Sequence, residues 1–365
     1  MLLFLGEKEK KKDTLAQNTI YVVSNREQAD ELICQQIRLA GIENVLLLRD
    51  SLDCCENTSI PEDAKGVVID INDETDASKV IEKMHFFINR SVWCCFVGND
   101  DRISFSRAFE PHCHGYYNIY YQKSDLIQAV LSCDERQIIR KPVSVSVLGC
   151  KGGVGCTAIG YNLAMDIAKT SNIPTVYVQG KYCSFDLDLL AGKEVSRNTV
   201  SEHKGLSLLS TDDMSFPDFN DQIYARFNFI IFEQSVVSVG KDITQEIINS
   251  SMCIVLVTDR SIPSLRTVSA IIEQIKIIIK TTKVPRRIFV CLNDSRPLTK
   301  GALSVEEIEK IIERKIDVHF GFEVTQRKKI LQKNITARQK IASMVLGRHT
   351  DTGLLALIKS WAKIL

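Results

Sequence analysis

The sequence predicts an α/β protein with two domains, each built around a mostly parallel sheet. Short apolar runs alternate with amphipathic stretches along almost the whole chain, which is the pattern of β-α-β units. The chain has 365 residues. Because domains usually contain about 150 residues, this length also indicates two of them. Hydrophobic residues make up 45% of the chain, which is enough for packed cores and too many for a disordered protein.

The composition and the order of charged and apolar residues argue against a bulk nucleic-acid-binding protein, a secreted protein and a membrane-spanning protein. Its 46 Lys and Arg residues are balanced by 45 Asp and Glu residues, so any electrostatic partner must bind a local patch. The apolar residues at the start of the chain precede a charged run, which is the reverse of the order in a signal peptide. No apolar run reaches the ~18 residues of a membrane-spanning helix. We therefore expect a soluble, cytoplasmic protein whose 12 cysteines are mostly reduced.

The first part of the chain predicts a flavodoxin-like domain over residues 18–133. Residues 1–17 are charged and lack periodicity, so we expect a flexible lead before it. Five strands in about 115 residues is the size of such a domain, with helices between them. The predicted strands are 20–23, 45–48, 66–71, 92–97 and 118–121, and the clearest predicted helices are 27–39 and 77–88.

A second α/β domain is predicted over residues 143–365. Residues 134–142 are polar and end in Pro142, so we expect a linker there. Strands and helices alternate again after this linker, which indicates a second parallel sheet. The predicted strands are 143–148, 175–178, 229–232, 253–257 and 287–292, and the predicted helices are 161–169, 264–280, 304–315 and 353–364.

The most informative segment is a glycine-rich loop that follows the first strand of the second domain. Its glycines let backbone N–H groups approach a polyphosphate, and the N-terminus of the next helix adds partial positive charge. Thr157 stands where a hydroxyl would ligate Mg²⁺. A glycine turn without a ligand is the alternative, but the strand–turn–helix setting disfavours it. The residues predicted to bind the nucleotide here are Lys151, Gly152, Gly153, Val154, Gly155, Cys156, Thr157 and Ala158.

This loop resembles the deviant phosphate-binding loop (deviant Walker A) of the ParA/MinD (SIMIBI) P-loop superfamily, K-G-G-x-G-K-[ST]. Lys151 matches the family's first lysine, which reaches across a dimer interface to the partner's nucleotide. The resemblance therefore implies that Lys151 has this catalytic role and that the chain forms a homodimer. It also implies ATP and Mg²⁺ as cofactors. Cys156 stands where the family has its second lysine.

Two later segments also resemble ParA/MinD motifs. The predicted strand 229–232 leads to Glu233, which stands where the family has an aspartate near Mg²⁺. The resemblance makes Glu233 a candidate metal contact through water and a candidate catalytic group. Asn293 and Asp294 follow the strand 287–292, where the family uses an asparagine to read adenine. Both are therefore predicted to bind the nucleotide.

Departures from the family pattern predict weak or vestigial ATP hydrolysis. Phosphoryl transfer depends on positioned charge, and a neutral thiol at Cys156 cannot neutralise phosphate oxygens. The family's two switch acids are replaced by Gln179 and Lys181, although Asp186 and Asp188 follow. Losing one preorganised polar contact typically costs about 3 kcal/mol, or about a hundredfold in rate. The sequence thus predicts ATP binding and leaves open whether the chain is an enzyme.

Residues 67–72 resemble the third strand of a response-regulator receiver, in which Asp70 would accept a phosphoryl group. Ser24 and Asn25 stand where a receiver has its Mg²⁺-binding acids, so we expect Asp70 only to end a strand and cap a turn. An atypical receiver joined to a ParA/MinD-type domain is the layout of TadZ and CpaE proteins, which help to assemble Flp (Tad, type IVb) pili. This resemblance implies a nucleotide-gated dimeric scaffold for pilus assembly and secretion proteins. It also implies a polar position and a peripheral contact with an inner-membrane complex.

Two other functions stay open from the sequence: an active ATPase that positions cargo or DNA, and a receiver-regulated signalling protein. The basic run 327–340 is typical of a solvated helix face, so we do not expect nucleic acid as a partner. The amphipathic stretch 354–365 is expected to pack on the core and not on a membrane. His112, Cys113 and His114 are candidate metal ligands without a second ligand pair at zinc-site spacing.

Overall fold

The chain forms two compact units in the computed structural model. The model describes residues 19–50, 60–61, 63–72, 74, 76–85, 87–99, 103–110, 112–133, 140–171, 173–184, 186–322 and 335–347. The first unit contains the chain up to Pro142 together with Ser171–Ile173 and Gln222–Asn228, and the second contains the other residues. Each unit has a sheet of mainly parallel strands, so the predicted α/β fold class is confirmed.

The first unit is an open sheet with helices between its strands. The strands are β1 (Ile20–Ser24), β2 (Val45–Arg49), β3 (Gly66–Asp70), β4 (Trp93–Gly98) and β5 (Tyr116–Asn118). The helices are α1 (Glu27–Leu39), α2 (Ala77–Met84), α3 (Ile103–Phe109) and α4 (Lys123–Leu131). The sheet order is β2-β1-β3-β4-β5, with every neighbouring pair parallel, which is an order found in doubly wound sheets. The strands β1, β3 and β4 are buried throughout because apolar clusters lie on both faces of the sheet.

In the first unit, the predicted ends of one strand and one helix are wrong, and the structure shows the reason for each. The last strand ends at Asn118, because its side-chain Oδ1 accepts the N–H groups of Tyr120 (2.9 Å) and Tyr121 (3.2 Å) and turns the chain. The helix predicted to extend to residue 88 ends at Met84. Beyond it, the carbonyls of residues 85 and 88 accept hydrogen bonds from the Asn228 amide at 3.2 and 2.6 Å. Both elements therefore end where an asparagine side chain forms hydrogen bonds with backbone groups.

The second unit is built on a larger sheet. Its strands are β6 (Val143–Gly149), β7 (Thr175–Gln179), β8 (Ser201–His203), β9 (Leu206–Ser210), β10 (Phe229–Ser235), β11 (Cys253–Thr258), β12 (Arg287–Asn293) and β13 (Val318–Phe320). Its helices are α5 (Cys156–Ser171), α6 (Leu187–Ala191), α7 (Lys241–Ser250), α8 (Ile262–Thr282), α9 (Val305–Ile312) and α10 (Ile335–Val345). The order is β13-β12-β11-β6-β10-β7-β9-β8, and the pair β8–β9 is antiparallel whereas the other neighbouring pairs are parallel.

The register of the second sheet brings several strand ends to one edge. Gly149 at the end of β6 is paired with Ser235 of β10 and with Val257 of β11. Gln179 at the end of β7 is paired with Glu233 of β10. Because ligands of open α/β sheets bind beyond the carboxyl ends of the strands, this edge is where a site is expected.

Parts of the predicted C-terminal features lie outside the described residues. These parts are the predicted helix 353–364 and residues 327–334 of the basic run. From the rest of that run, Arg338 donates two hydrogen bonds to the carboxylate of Asp166 (3.0 and 2.7 Å), and Lys340 donates to the carbonyl of Asp317 (2.6 Å). Both cations therefore bind groups of their own unit. Among the helices that the structure describes, none combines the length and the apolar character needed to cross a bilayer.

Candidate functional site

The glycine-rich loop connects β6 to α5 at the carboxyl edge of the sheet. Gly153 (φ 74°) and Gly155 (φ 80°) adopt left-handed conformations that favour glycine. A Cβ on Gly152 or Gly153 would meet nothing within 4 Å, so this side of the loop is open. The helix α5 begins at Cys156, earlier than the predicted residue 161, so its unpaired N–H groups lie directly after the loop. This arrangement suits an anion such as a phosphate.

Lys151 binds two groups of its own chain. Its Nζ donates to Asp259 Oδ2 at 2.8 Å and to Ser261 Oγ at 3.1 Å, just beyond the end of β11. Burial raises the pKa of Asp259, but hydrogen bonds from Lys151 and Ser261 outweigh burial and leave this pKa below its ordinary value. No sequence motif marks Asp259, because a local pattern does not tell which carboxylate a distant lysine will contact.

Glu233 lies at the centre of a buried hydrogen-bond network. Thr157 Oγ1 donates to its Oε1 at 2.7 Å, Tyr177 Oη donates to its Oε2 at 2.6 Å, and Gln179 Nε2 approaches Oε2 at 3.4 Å. Thr157 Oγ1 also lies 2.7 Å from Ser184 Oγ. Burial raises the pKa of Glu233, while the hydrogen bonds from Tyr177, Thr157 and Gln179 lower it, and the net direction is upward. Tyr177 and Ser184 were not among the predicted site residues.

The oxygen atoms of this network fit a magnesium ion. Mg²⁺ prefers oxygen ligands, keeps several waters and usually takes one or two protein groups together with phosphates. Thr157 and Glu233 supply a hydroxyl and a carboxylate that lie next to each other at the end of the glycine-rich loop. Thr157 would hold the ion directly and Glu233 would hold it through water. When bound, the ion would neutralise phosphate charge.

Cys156 offers no positive charge at the end of the loop. Its thiol lies 3.6 Å from the carbonyl of Val147, and burial, followed by the nearby Glu233, raises the pKa of this thiol well above its usual value. The thiol is therefore neutral, as expected from the sequence. Lys181 does not replace the missing cation in this structure, since it is exposed and its ammonium lies 5.8 Å from the centre of the Tyr182 ring.

Asn293 and Asp294 follow β12, and each binds groups of its own unit. Asn293 Nδ2 donates to the carbonyl of Val154 at 2.7 Å, so it supports the glycine-rich loop from behind. Asp294 is buried, its Oδ1 and Oδ2 accept hydrogen bonds from Arg260 at 2.6 and 2.9 Å, and Oδ2 also lies 2.7 Å from His319 Nε2. A role for either residue in reading a base stays a prediction.

In the first unit, Asp70 is held by a cation of its own unit. Arg26 Nε donates to Oδ2 at 2.7 Å and Arg26 Nη2 donates to Oδ1, which gives a bidentate pair. Ser24 Oγ donates to Oδ2 at 2.8 Å, and the N–H of Asn72 donates to Oδ1 at 2.9 Å. Asp70 thus ends β3 and caps the following turn, which agrees with the structural interpretation made from the sequence.

Two of the three candidate metal ligands of the first unit, Cys113 and His114, contact other groups. Cys113 is buried, and its thiol donates to the carbonyls of Phe109 (3.4 Å) and Gly115 (3.2 Å). His114 stacks on Trp93, with 5.3 Å between the ring centres. Within the described ranges, no group of three or more His, Cys, Asp or Glu side chains is arranged to hold a metal ion.

Comparisons with known proteins found similar solved structures, while no family model and no curated protein matches the chain. A ParA family ATPase from Chlorobium tepidum TLS is 18% identical, with 57% of this chain and 97% of that chain covered and a TM-score of 0.38. The MinC:MinD cell division protein complex of Aquifex aeolicus is 18% identical (56% and 96% covered, TM-score 0.42). MinD of Pyrococcus horikoshii OT3, complexed with Mg-ADP, is 14% identical (55% and 95% covered, TM-score 0.41). All three TM-scores are below 0.5.

Proposed function

We propose that the second unit binds ATP with Mg²⁺ through the loop from Lys151 to Thr157, as ParA/MinD proteins do. The observation that carries this proposal is the open glycine cradle between β6 and the N-terminus of α5. The adjacent contact between Thr157 and Glu233 supports a magnesium ion at the same edge. A polyphosphate with its metal is the ligand whose charge suits both features.

Hydrolysis of this ATP is proposed to be weak. The position that a second lysine would take is held by the neutral thiol of Cys156. Gln179 is buried beside Glu233 and carries no charge, and Lys181 is exposed with its ammonium over the Tyr182 ring. Because phosphoryl transfer is accelerated mainly by positioned charge, the nucleotide acts more as a ligand that controls assembly than as a fuel.

The assembly that we propose is a homodimer whose subunits meet at the loop edge of the sheet. Tyr182 and Leu189 follow β7, Val237 follows β10 and Ile262 begins α8 after β11, and all four are exposed apolar side chains. Exposed apolar side chains that follow the strands of one sheet, beside a charged loop, would suit an interaction surface. A twofold axis through this edge would cover them and bring each Lys151 toward the partner's nucleotide.

The cellular role proposed for this dimer is a scaffold that localises Flp (Tad) pilus assembly and secretion proteins at a polar, peripherally membrane-associated complex. The first unit would serve as the interaction module. Its Asp70 is paired with Arg26, which disfavours the alternative of phosphorylation control. The support for the pilus role is the order of a receiver-like unit followed by a unit with a deviant phosphate-binding loop.

Calorimetry on the full chain tests nucleotide binding. ATP with Mg²⁺ should give heat of binding and AMP should give none, and no binding at millimolar ATP would refute the proposal. Turnover near about 1 s⁻¹, within the range of kinases, would contradict weak hydrolysis. Sedimentation with saturating ATP tests the dimer, which Lys151→Ala should weaken without unfolding either unit. A wild-type chain that stays monomeric at tens of micromolar would refute the dimer alone.

A further inference from the structure

We infer that Tyr177 is a positioning residue that holds Glu233 toward the magnesium site and so sets how strongly ATP binding depends on Mg²⁺. This inference rests on the proposed function of the second unit. It concerns a residue that no motif singled out, in the middle of β7. Tyr177 acts through Glu233 and touches neither the nucleotide nor the ion.

The hydroxyl of Tyr177 is placed with little freedom. Its side chain is fully buried, and its Oη lies 2.6 Å from Glu233 Oε2 and 3.5 Å from the carbonyl of Thr157. The helix α5 has a glycine where the ring passes. A Cβ on Gly160 would come within 2.9 Å of Tyr177 Cε2 and 3.0 Å of its Oη. Because Gly160 has no side chain, the ring and hydroxyl of Tyr177 can lie against α5 at this position.

The length of the Glu233 side chain explains why it needs a second anchor. Glutamate has one more rotatable bond than aspartate, so its carboxylate has more positions to choose from. Tyr177 holds Oε2, and this leaves Oε1 aimed at Thr157 at 2.7 Å. Without the tyrosine hydroxyl, the remaining donor to Oε2 is Gln179 at 3.4 Å, which is a long and weak hydrogen bond.

Removing the Tyr177 hydroxyl should lower the affinity for Mg²⁺ and leave the other contacts of the nucleotide unchanged. Groups that hydrogen-bond a metal ligand typically change metal affinity by about 10- to 100-fold when removed. Among the described residues, the Tyr177 hydroxyl bonds Glu233 and the carbonyl of Thr157, and it bonds none of the N–H groups that would contact phosphate. ATP affinity without Mg²⁺ should therefore stay the same when Tyr177 loses its hydroxyl.

The test is a calorimetric titration of the full chain with ATP over a series of Mg²⁺ concentrations, starting in EDTA. For the Tyr177→Phe variant, the Mg²⁺ concentration that gives half of the gain in ATP affinity should be about tenfold higher than for the wild type, or more. In EDTA, the variant should bind ATP with the affinity of the wild type. Tyr161→Phe is the matched control, because Tyr161 is buried on α5 and packs edge-on against Tyr177, with ring centres 6.4 Å apart. This control should behave as the wild type does.

A double-mutant cycle with Glu233→Gln shows whether Tyr177 acts through Glu233. The effect of Tyr177→Phe on Mg²⁺ dependence should disappear in the Glu233→Gln background, and an undiminished effect would overturn the inference. If Tyr177→Phe does not fold, Gly160→Ala carries the test, since its Cβ presses on the same hydroxyl. Wild-type Mg²⁺ dependence in either variant, or an equal loss of affinity with and without Mg²⁺, would also overturn it.

The proposed function fails separately from this inference. If the wild-type chain binds ATP equally well with and without Mg²⁺, the inference is overturned while ATP binding stands. If the wild-type chain does not bind ATP under either condition, the proposed function is refuted and the inference with it.

Discussion

For the homodimer proposed above, the ion pair between Lys151 and Asp259 predicts that the free chain resists dimerisation. Lys151 cannot reach a partner's nucleotide while its ammonium is 2.8 Å from Asp259 Oδ2. Asp259→Asn removes this charge and leaves an amide of the same shape. The substitution can keep the acceptor that binds the N–H of Ser261 at 3.0 Å ahead of α8. Releasing Lys151 in this way should strengthen ATP-dependent dimerisation.

The size of the effect follows from the exposure of the pair. The side chains of Lys151 and Asp259 are 44% and 25% exposed, so solvent screens the attraction and the pair contributes about 0.2–1 kcal/mol. A dimer must open two such pairs, which doubles this to about 0.4–2 kcal/mol. The dimerisation constant in saturating ATP should therefore rise by about 2- to 30-fold.

Sedimentation velocity over a series of protein concentrations, with and without ATP, measures this constant. Asp212→Asn is the matched control, because Asp212 forms a 2.8 Å ion pair with Arg197 on the exposed surface of the same unit. The control should leave dimerisation unchanged. Equal or weaker dimerisation of Asp259→Asn in saturating ATP would show that the ion pair does not restrain Lys151.

Three further predictions concern single side chains. Cys156→Lys should raise ATP turnover by up to about a hundredfold in a phosphate-release assay, because it restores a charged contact, and an unchanged rate would contradict this. Asn293→Ala should weaken ATP binding in calorimetry, because it removes the bond to the carbonyl of Val154, and an unaltered Kd would count against that support. Burial, with nearby Arg140, lowers the pKa of His85 from 6.5 to about 3. Between these values the unfolded chain binds a proton that the folded chain does not. The free energy of unfolding should therefore increase as the pH is raised from about 3 to 6.5, and decrease as the pH is lowered, by up to about 1.4 kcal/mol per pH unit. His85→Gln should flatten this dependence in thermal unfolding of the first unit, and an unaltered slope would contradict it.

Local patterns predicted the elements that are long or continuously apolar. The helix α1 was predicted with its observed bounds, since its apolar side chains recur at helical spacing and Gly41 follows closely. The starts of β6 and β10 were predicted because each begins an uninterrupted apolar run. The short strands β8 and β13 have three residues each, too few for a period to show.

The contacts of the candidate site depend on pairs that are distant in sequence. Thr157 and Glu233 were both identified because each belongs to a motif with a fixed place in a strand–loop order. The predicted strand 175–178 contains Tyr177 without any sign of a functional role, and only the register of β7 beside β10 brings its hydroxyl to Glu233. The partner of Lys151 is 108 positions away, so the sequence carried no signal for it.

The close fit of Tyr177 against α5 also restricts how this site can change. Any side chain at position 160 collides with the tyrosine, and the tyrosine hydroxyl is what a long carboxylate at 233 uses as its second support. An aspartate at 233 has a shorter side chain, so its carboxylate would lie farther from that hydroxyl, which would keep only its long contact of 3.5 Å with the carbonyl of Thr157. Gly160, Tyr177 and Glu233 therefore depend on one another, and a substitution at one of these positions disturbs the other two.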